Sequence, residues 1–243
     1  VLWGETLSKD VRDRMEGKRL EDLSQGERDD FLRYSRLDAV ACFKVYEALK
    51  DTTPQHEIEL MSLAMDQGEY GVQIDGAALR DGIKTLTEAK ESLMRQLPWF
   101  PELKANSRKG FAAWCKAGGL PAPESTKDDD PELRAWKVKH SKGAAMIGIL
   151  HRYRSANKTL KLLHTIRERI TPEGILQFEI KYYGSEITGR FAGGGGLNML
   201  NLPKNAVEGV SVRPMIKARA SHKLAIVDLS NIEARVGAWL VGD

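Results

Sequence analysis

Lys223-Leu-Ala-Ile-Val-Asp228, followed at once by Leu229-Ser-Asn-Ile-Glu-Ala-Arg-Val-Gly-Ala-Trp-Leu240, is the stretch that separates an all-helical reading from a mixed one. Its first half is a short apolar run of the kind that forms a buried strand. Its second half places Ile232, Val236, Trp239 and Leu240 at i, i+4, i+7 and i+8, the period of an amphipathic helix. A strand running into a helix predicts an α/β unit at this end of the chain, with the carboxylate of Asp228 where the strand emerges. A strand end fixes a carboxylate in place, and Mg²⁺ that keeps its waters needs few protein ligands beside substrate phosphates. Ser230-Asn-Ile-Glu233 also satisfies the capping-box pattern, so spacing alone leaves Glu233 as either a helix cap or a functional acid.

Upstream, residues 175–183 read as a strand and 184–206 as a loop. Gly193–Gly196 lies in that loop, but no Gly-Lys-Ser/Thr follows it, and the GxGxxG frame from Gly193 ends on Asn198, so neither nucleotide fingerprint is present. Thr188, Arg190, Asn198 and Asn201 flank the glycines with donors suited to minor-groove edges and sugars. Farther back, Arg134 to Arg169 holds ten Lys or Arg against one acid, Glu168. Met146, Ile149, Leu150, Tyr153 and Leu160 make the apolar stripe of a helix there. Arg154, Lys158 and Lys161 at i, i+4 and i+7 form a neighbouring basic row able to track a phosphate backbone. A solvated lysine-rich helix is the alternative reading of that row.

The rest of the chain is read as helical, giving an α+β, mainly helical fold. Helices are expected over 31–49, 57–67, 76–97 and 109–116, with Leu37, Val40, Ala41, Val45, Ala48 and Leu49 as a core-facing stripe on the first. The break at Asp51-Thr-Thr-Pro54 suggests a domain boundary near Thr53. Asp128-Asp-Asp130 is read as a loop capping the next helix, because adjacent side chains diverge too far to share a metal.

Composition narrows the class. A chain of 243 residues that is 42% apolar and 29% charged can bury a core, which excludes disordered and collagen-like readings. A net charge of +3 names no partner, so any nucleic-acid argument must rest on local charge. Cys42 and Cys115 form no CxxC pair, which speaks against a zinc ribbon or a disulfide framework and fits a reducing compartment. No apolar run approaches the length of a membrane span, so a membrane is not expected as a partner and a cytoplasmic setting is. The opening Val1-Leu-Trp-Gly and the closing Val241-Gly-Asp243 both read as cuts from a longer chain.

One ordered set of motifs carries a resemblance. Thr188-Gly-Arg190, Asn198-x-x-Asn201-x-Pro203, Arg213 in Val-Arg-Pro-Met, and Asp228-Leu-Ser-Asn-Ile-Glu-Ala-Arg235 closing on Leu240-Val-Gly-Asp243 resemble the start of the palm in family A DNA polymerases, of phage type. Gly71-Val-Gln-Ile-Asp75 with Leu79 resembles the opening of that family's thumb, Tyr153-Arg-Ser-Ala-Asn-Lys158-Thr its duplex-gripping segment, and Tyr34-Ser-Arg-Leu-Asp38 the YxxxD motif of its 3′-5′ exonuclease. The resemblance implies residues 1–53 as the end of an exonuclease domain, 54–170 as thumb and 171–243 as the first part of the palm.

It further implies template-directed transfer of deoxynucleoside triphosphates to a primer terminus with two Mg²⁺ ions. Asp228 would be the metal-binding catalytic carboxylate, helped by the Leu229 carbonyl, with Leu229, Ser230 and Glu233 at the nucleotide. Glu233 would pack against the incoming sugar and Arg235 would steady the site. Arg154, Lys158, Lys161, Thr188, Arg190, Asn198 and Asn201 would hold primer-template DNA. Asp38 would bind an exonuclease metal and Tyr34 would orient water, the two sharing a helical face at i and i+4.

No D-x-E precedes Tyr34, and neither a fingers helix nor a second catalytic Asp is found, so the chain by itself is expected to polymerise poorly. The remaining polymerase segment or a processivity factor is the expected protein partner. A catalytically silent duplex-binding module is the alternative, and an unrelated Mg²⁺-dependent hydrolase a third reading.

Overall fold

Helix starts are set by capping chemistry that the sequence carries. Asp75 accepts the Ala77 and Ala78 N–H groups at 3.0 and 3.1 Å and opens α4 (Gly76–Arg95). Ser107 caps α5 (Arg108–Ala117) through Gly110 N–H, and Asp130 with Pro131 behind it starts α6 (Pro131–Lys139). The last of the three aspartates is therefore a cap, as expected of a loop that caps the next helix. The other helices are α1 (Asp10–Met15), α2 (Gln25–Leu49), α3 (Gln55–Tyr70), α7 (Ser141–Arg169) and α8 (Ile232–Val241). Short strands among the described residues join them: β1 (Val72–Ile74), β2 (Ile175–Leu176), β3 (Ile180–Lys181), β4 (Ala192–Gly193) and β5 (Ile216–Lys217).

These elements come from a computed structural model that describes residues 10–15, 18, 20–185 and 187–242. The fold is α+β and mainly helical, as expected. Val1–Gly4 and Asp243 lie outside the described residues. The chain forms two compact units divided between Leu63 and Ala64, within α3.

In the unit from Ala64 onward, α4 packs along α7, and β1 is the central strand of an antiparallel sheet ordered β2-β1-β5. Val72 pairs with Leu176 and Ile74 with Ile216. The main core joins Leu79, Leu86 and Leu93 of α4 to Leu160, Leu163 and Ile166 of α7, and adds Leu197, Val210 and Met215. Residues from the 54–170 and 171–243 spans thus share one core. A second core gathers Trp99, Phe111, Cys115 and Leu133 around Ile147 and Leu150, so α7 serves both. Burial raises the Cys115 thiol above its ordinary value, consistent with an inert core thiol.

Three expectations are corrected. The run 223–228 is not a strand: Ile226 is 94% exposed and no strand among the described residues pairs with it. Apolar residues make a strand only where a neighbour takes their backbone hydrogen bonds. Residues 175–183 are two separate strands, because Phe178 N–H turns to the Gly68 carbonyl at 3.1 Å and Gln177 Nε2 to the Glu69 carbonyl at 2.8 Å. The chain is thereby pulled onto α3 between its pairings with β1 and β4. The apolar stripe of α2 is not buried, for Leu37, Val40 and Leu49 are exposed and no described residue of α2 counts as buried. Periodicity sets which residues share a face, whereas burial depends on what lies against it.

Candidate nucleic-acid interface

α7 buries Ile147, Leu150, Ala156, Leu160, Leu163 and Ile166 and leaves its lysines and its arginines other than Arg154 exposed. The expected row splits at this point. Arg154 is half-buried, with Nε donating to Asn106 Oδ1 at 2.7 Å, Nη1 to the Thr126 carbonyl at 2.9 Å and Nη2 to Thr126 Oγ1 at 2.9 Å. Burial pushes its guanidinium below the ordinary arginine value. Arg154 therefore pins the 125–130 loop and is not part of the open basic surface. Arg152 is likewise engaged, as a bidentate pair with Glu208 at 2.9 and 2.6 Å. That contact holds Glu208 below and Arg152 above their usual values. Lys158 and Lys161 stay exposed.

Lys158 faces a cleft of about 500 Å³. Ser155, Lys158 and Thr159 form the α7 wall, and Asn198, Asn201 and Lys204 come from the opposite segment. The structure thus brings together Lys158, Asn198 and Asn201, which the sequence supplied from two separate stretches. Ser155 and Lys204 were missed. Ser155 is three residues before Lys158 on the same face, and Lys204 directly follows Asn201-Leu-Pro203, so helical spacing and motif adjacency are the signals that find them.

The glycines position this wall. The 193–196 run leaves the β3–β4 hairpin at Gly193, the last residue of β4, with Gly195 and Gly196 at φ of +56° and +73°, in the left-handed region that favours glycine. A Cβ on Gly193 would lie 2.5 Å from Asn198 Cα, so the backbone of the Asn198 loop can approach only glycine. Asn198 Oδ1 then accepts Leu200 N–H at 3.1 Å and caps a 3-10 turn, Met199–Asn201. Asn198 is exposed on this wall.

The β3–β4 hairpin also carries Thr188 and Arg190. Thr188 Oγ1 donates to Ser185 Oγ at 2.8 Å. Arg190 forms an ion pair with Glu233 of α8, joining two residues that the sequence placed in different motifs. The capping box expected at Ser230 and Glu233 does not form. Asn231, at φ +53°, is the N-cap and makes no side-chain cap bond, so Glu233 turns to Arg190 instead. Asp228, Leu229, Ser230 and Arg235 are exposed. Tyr34 and Asp38 lie one turn apart on α2, in the unit before Ala64, with Tyr34 half-buried and Asp38 exposed. No group of three or more His, Cys, Asp or Glu able to hold a metal is present among the described residues. No described helix is long and apolar enough to cross a membrane.

No protein-family model matches the chain. It is similar to a DNA polymerase of Bacillus phage SP02, at 22% identity over 219 residues covering 78% of this chain and 33% of that protein. The chain thus spans about a third of the length of the curated relative it matches.

Proposed function

We propose that this chain is a segment of a family A type DNA polymerase that grips primer-template DNA and contributes one metal-binding carboxylate to nucleotidyl transfer. The observation that carries the reading is the cleft in which Lys158 of α7 faces Asn198 and Asn201. A cation for the backbone stands across from amide donors for base edges and sugars, the division of labour that duplex recognition uses. Similarity to a phage DNA polymerase supports the same reading.

In this proposal Lys158, Lys161 and Lys204 hold phosphates and the two asparagines meet the minor groove. Arg190 turns to the primer terminus and Glu233 to the sugar of the incoming nucleotide. Both must then leave the ion pair they make with each other. The Asp228 carboxylate and the adjacent Leu229 carbonyl are exposed hard oxygen donors, a set that fits Mg²⁺. When bound, Mg²⁺ would supply charge neutralisation at the phosphates and a more acidic primer hydroxyl. The protein's own task is to fix Asp228 beside the hairpin that orients the primer. On α2, Asp38 and Tyr34 keep the one-turn spacing proposed for an exonuclease metal ligand and its water-orienting partner.

The test is binding of a labelled primer-template duplex to the 243-residue chain over a KCl series. Lys158→Ala is expected to lower the slope of log K against log salt by about 1, and Asp228→Ala to leave binding unchanged. An unaltered slope in Lys158→Ala, or equal affinity for duplex and single strand, would remove the proposed grip.

A further inference from the structure

We propose that a second cleft, between the Tyr70-Gly71 turn and residues 217–224, binds a phosphate group of a nucleic-acid strand. The cleft measures about 140 Å³, and Lys217, Arg219, His222 and Lys223 line it opposite Tyr70. Arg219 is held in place before any ligand arrives. Its guanidinium carbon lies 3.6 Å from the centre of the Tyr70 ring, and Nη2 donates to the Tyr70 carbonyl. Its Nε is buried and has no acceptor. A guanidinium is permanently charged and matches phosphate geometry, and a side chain already fixed by stacking loses little freedom when it binds. His222 is oriented too, since its Nδ1 donates to the Ala220 carbonyl at 2.8 Å.

The carboxylate that pairs with Lys217 is already engaged by its own helix. Asp75 pairs with Lys217 at 2.5 Å and accepts the Ala77 and Ala78 N–H groups, and these contacts hold it below its ordinary value. Among the described residues neither Arg219 nor Lys223 is in an ion pair, so the cleft keeps an uncompensated positive charge. The lining offers side-chain cations and no helix N-terminus or ring of backbone N–H groups. That set suits a singly charged phosphodiester approached from outside better than a free dianion, which is usually enclosed by backbone donors. The site shares no residue with the Lys158 cleft and does not depend on the roles assigned there.

The experiment uses the 243-residue chain and a fluorescein-labelled oligothymidylate, with anisotropy read over a KCl series. Lys223→Ala is expected to weaken binding severalfold and to lower the salt slope by about 0.7, the loss of one single-strand phosphate contact. Lys223 is exposed, so an unchanged melting temperature certifies the fold of this variant. Arg219→Gln, which removes the charge and keeps a polar side chain, is expected to do the same. In a second arm, inorganic phosphate is titrated while the His222 ring resonances are followed. Phosphate that shifts His222 while both variants bind oligothymidylate normally makes this a small-anion site and overturns the proposal, as does no response in either arm. Loss of oligothymidylate binding in Lys223→Ala, with duplex binding indifferent to Lys158→Ala, would leave this proposal standing and remove the other.

Discussion

Arg154 and Lys158 lie one turn apart on α7 and carry the same charge, yet their surroundings give them opposite consequences when removed. Arg154 makes three hydrogen bonds to Asn106 and Thr126 from a half-buried position. Hydrogen bonds to a charged group are worth roughly 1.5–3 kcal/mol, and truncation leaves their acceptors unpaired. Arg154→Ala is therefore expected to lower stability by about 2 kcal/mol in urea unfolding while leaving the duplex salt slope within error. Lys158→Ala should lower the slope and leave stability within about 0.5 kcal/mol, as surface substitutions usually do. A matched loss of stability and slope in both variants would contradict this division. The Arg190–Glu233 pair gives a second residue-level expectation. Both side chains are well exposed, and exposed pairs are worth about 0–1 kcal/mol. Glu233→Gln should thus leave the melting temperature nearly unchanged and tighten primer-template binding by no more than about fivefold, because Arg190 no longer has to be released. Weaker binding in Glu233→Gln would mean that the carboxylate positions Arg190 for DNA.

At the scale of elements, α2 shows how local chemistry sets a helix start. Ser24 Oγ accepts Glu27 N–H at 3.3 Å, and Glu27 in turn accepts Ser24 N–H at 2.9 Å and Lys18 Nζ at 2.7 Å. The Lys18 hydrogen bond, with the two from Ser24, draws Glu27 down from 4.5 to about 2. A depressed carboxyl value means that the folded state binds its proton more weakly than the unfolded chain. The cap's contribution is then full above pH 4.5 and is lost as pH falls towards 2. Following the Glu27 side-chain carboxyl by NMR should give a midpoint near 2, moving up towards 4.5 in Ser24→Ala with Lys18→Ala.

The same local logic made the cap of α6 readable in the sequence, and Asp75 and Ser107, which also act within three residues of themselves, start α4 and α5. Elements whose form depends on distant neighbours were not readable. The 223–228 run has the apolar content of a strand but no strand among the described residues pairs with it, and Arg154 finds its partners 48 and 28 residues away. The interface was legible as residue types at Lys158, Asn198 and Asn201. That they line one cleft was not, because the contact between α7 and the 198–204 segment is set by the shared core of α4 and α7 rather than by any local pattern.

At the scale of the whole molecule, both buried clusters and both clefts proposed to meet nucleic acid belong to residues after Leu63. The segment before that division carries α1, α2 and the start of α3, with the apolar face of α2 exposed. A piece beginning at Pro54 keeps α3 whole, including the Gly68 carbonyl that takes Phe178 N–H and the approach to β1. It should melt within a few degrees of the full chain and bind primer-template with the same salt slope, since it retains Lys158, Lys161 and Lys204. A piece beginning at Gly76 loses β1, the central strand between β2 and β5 in the sheet. It also removes Ile74 from the core and the Asp75 cap from α4. Burial of one such side chain is worth roughly 1.5–3 kcal/mol and the cap about 1 kcal/mol. With the ladder hydrogen bonds lost as well, this shorter piece should melt at least 10 °C lower or fail to fold, since about 1 kcal/mol moves the melting point of a domain this size by roughly 2–4 °C. Calorimetry on the two pieces distinguishes these outcomes. A weaker salt slope in the piece from Pro54, at an unchanged melting temperature, would place phosphate contacts on α2 and overturn the assignment of the grip to the later unit alone.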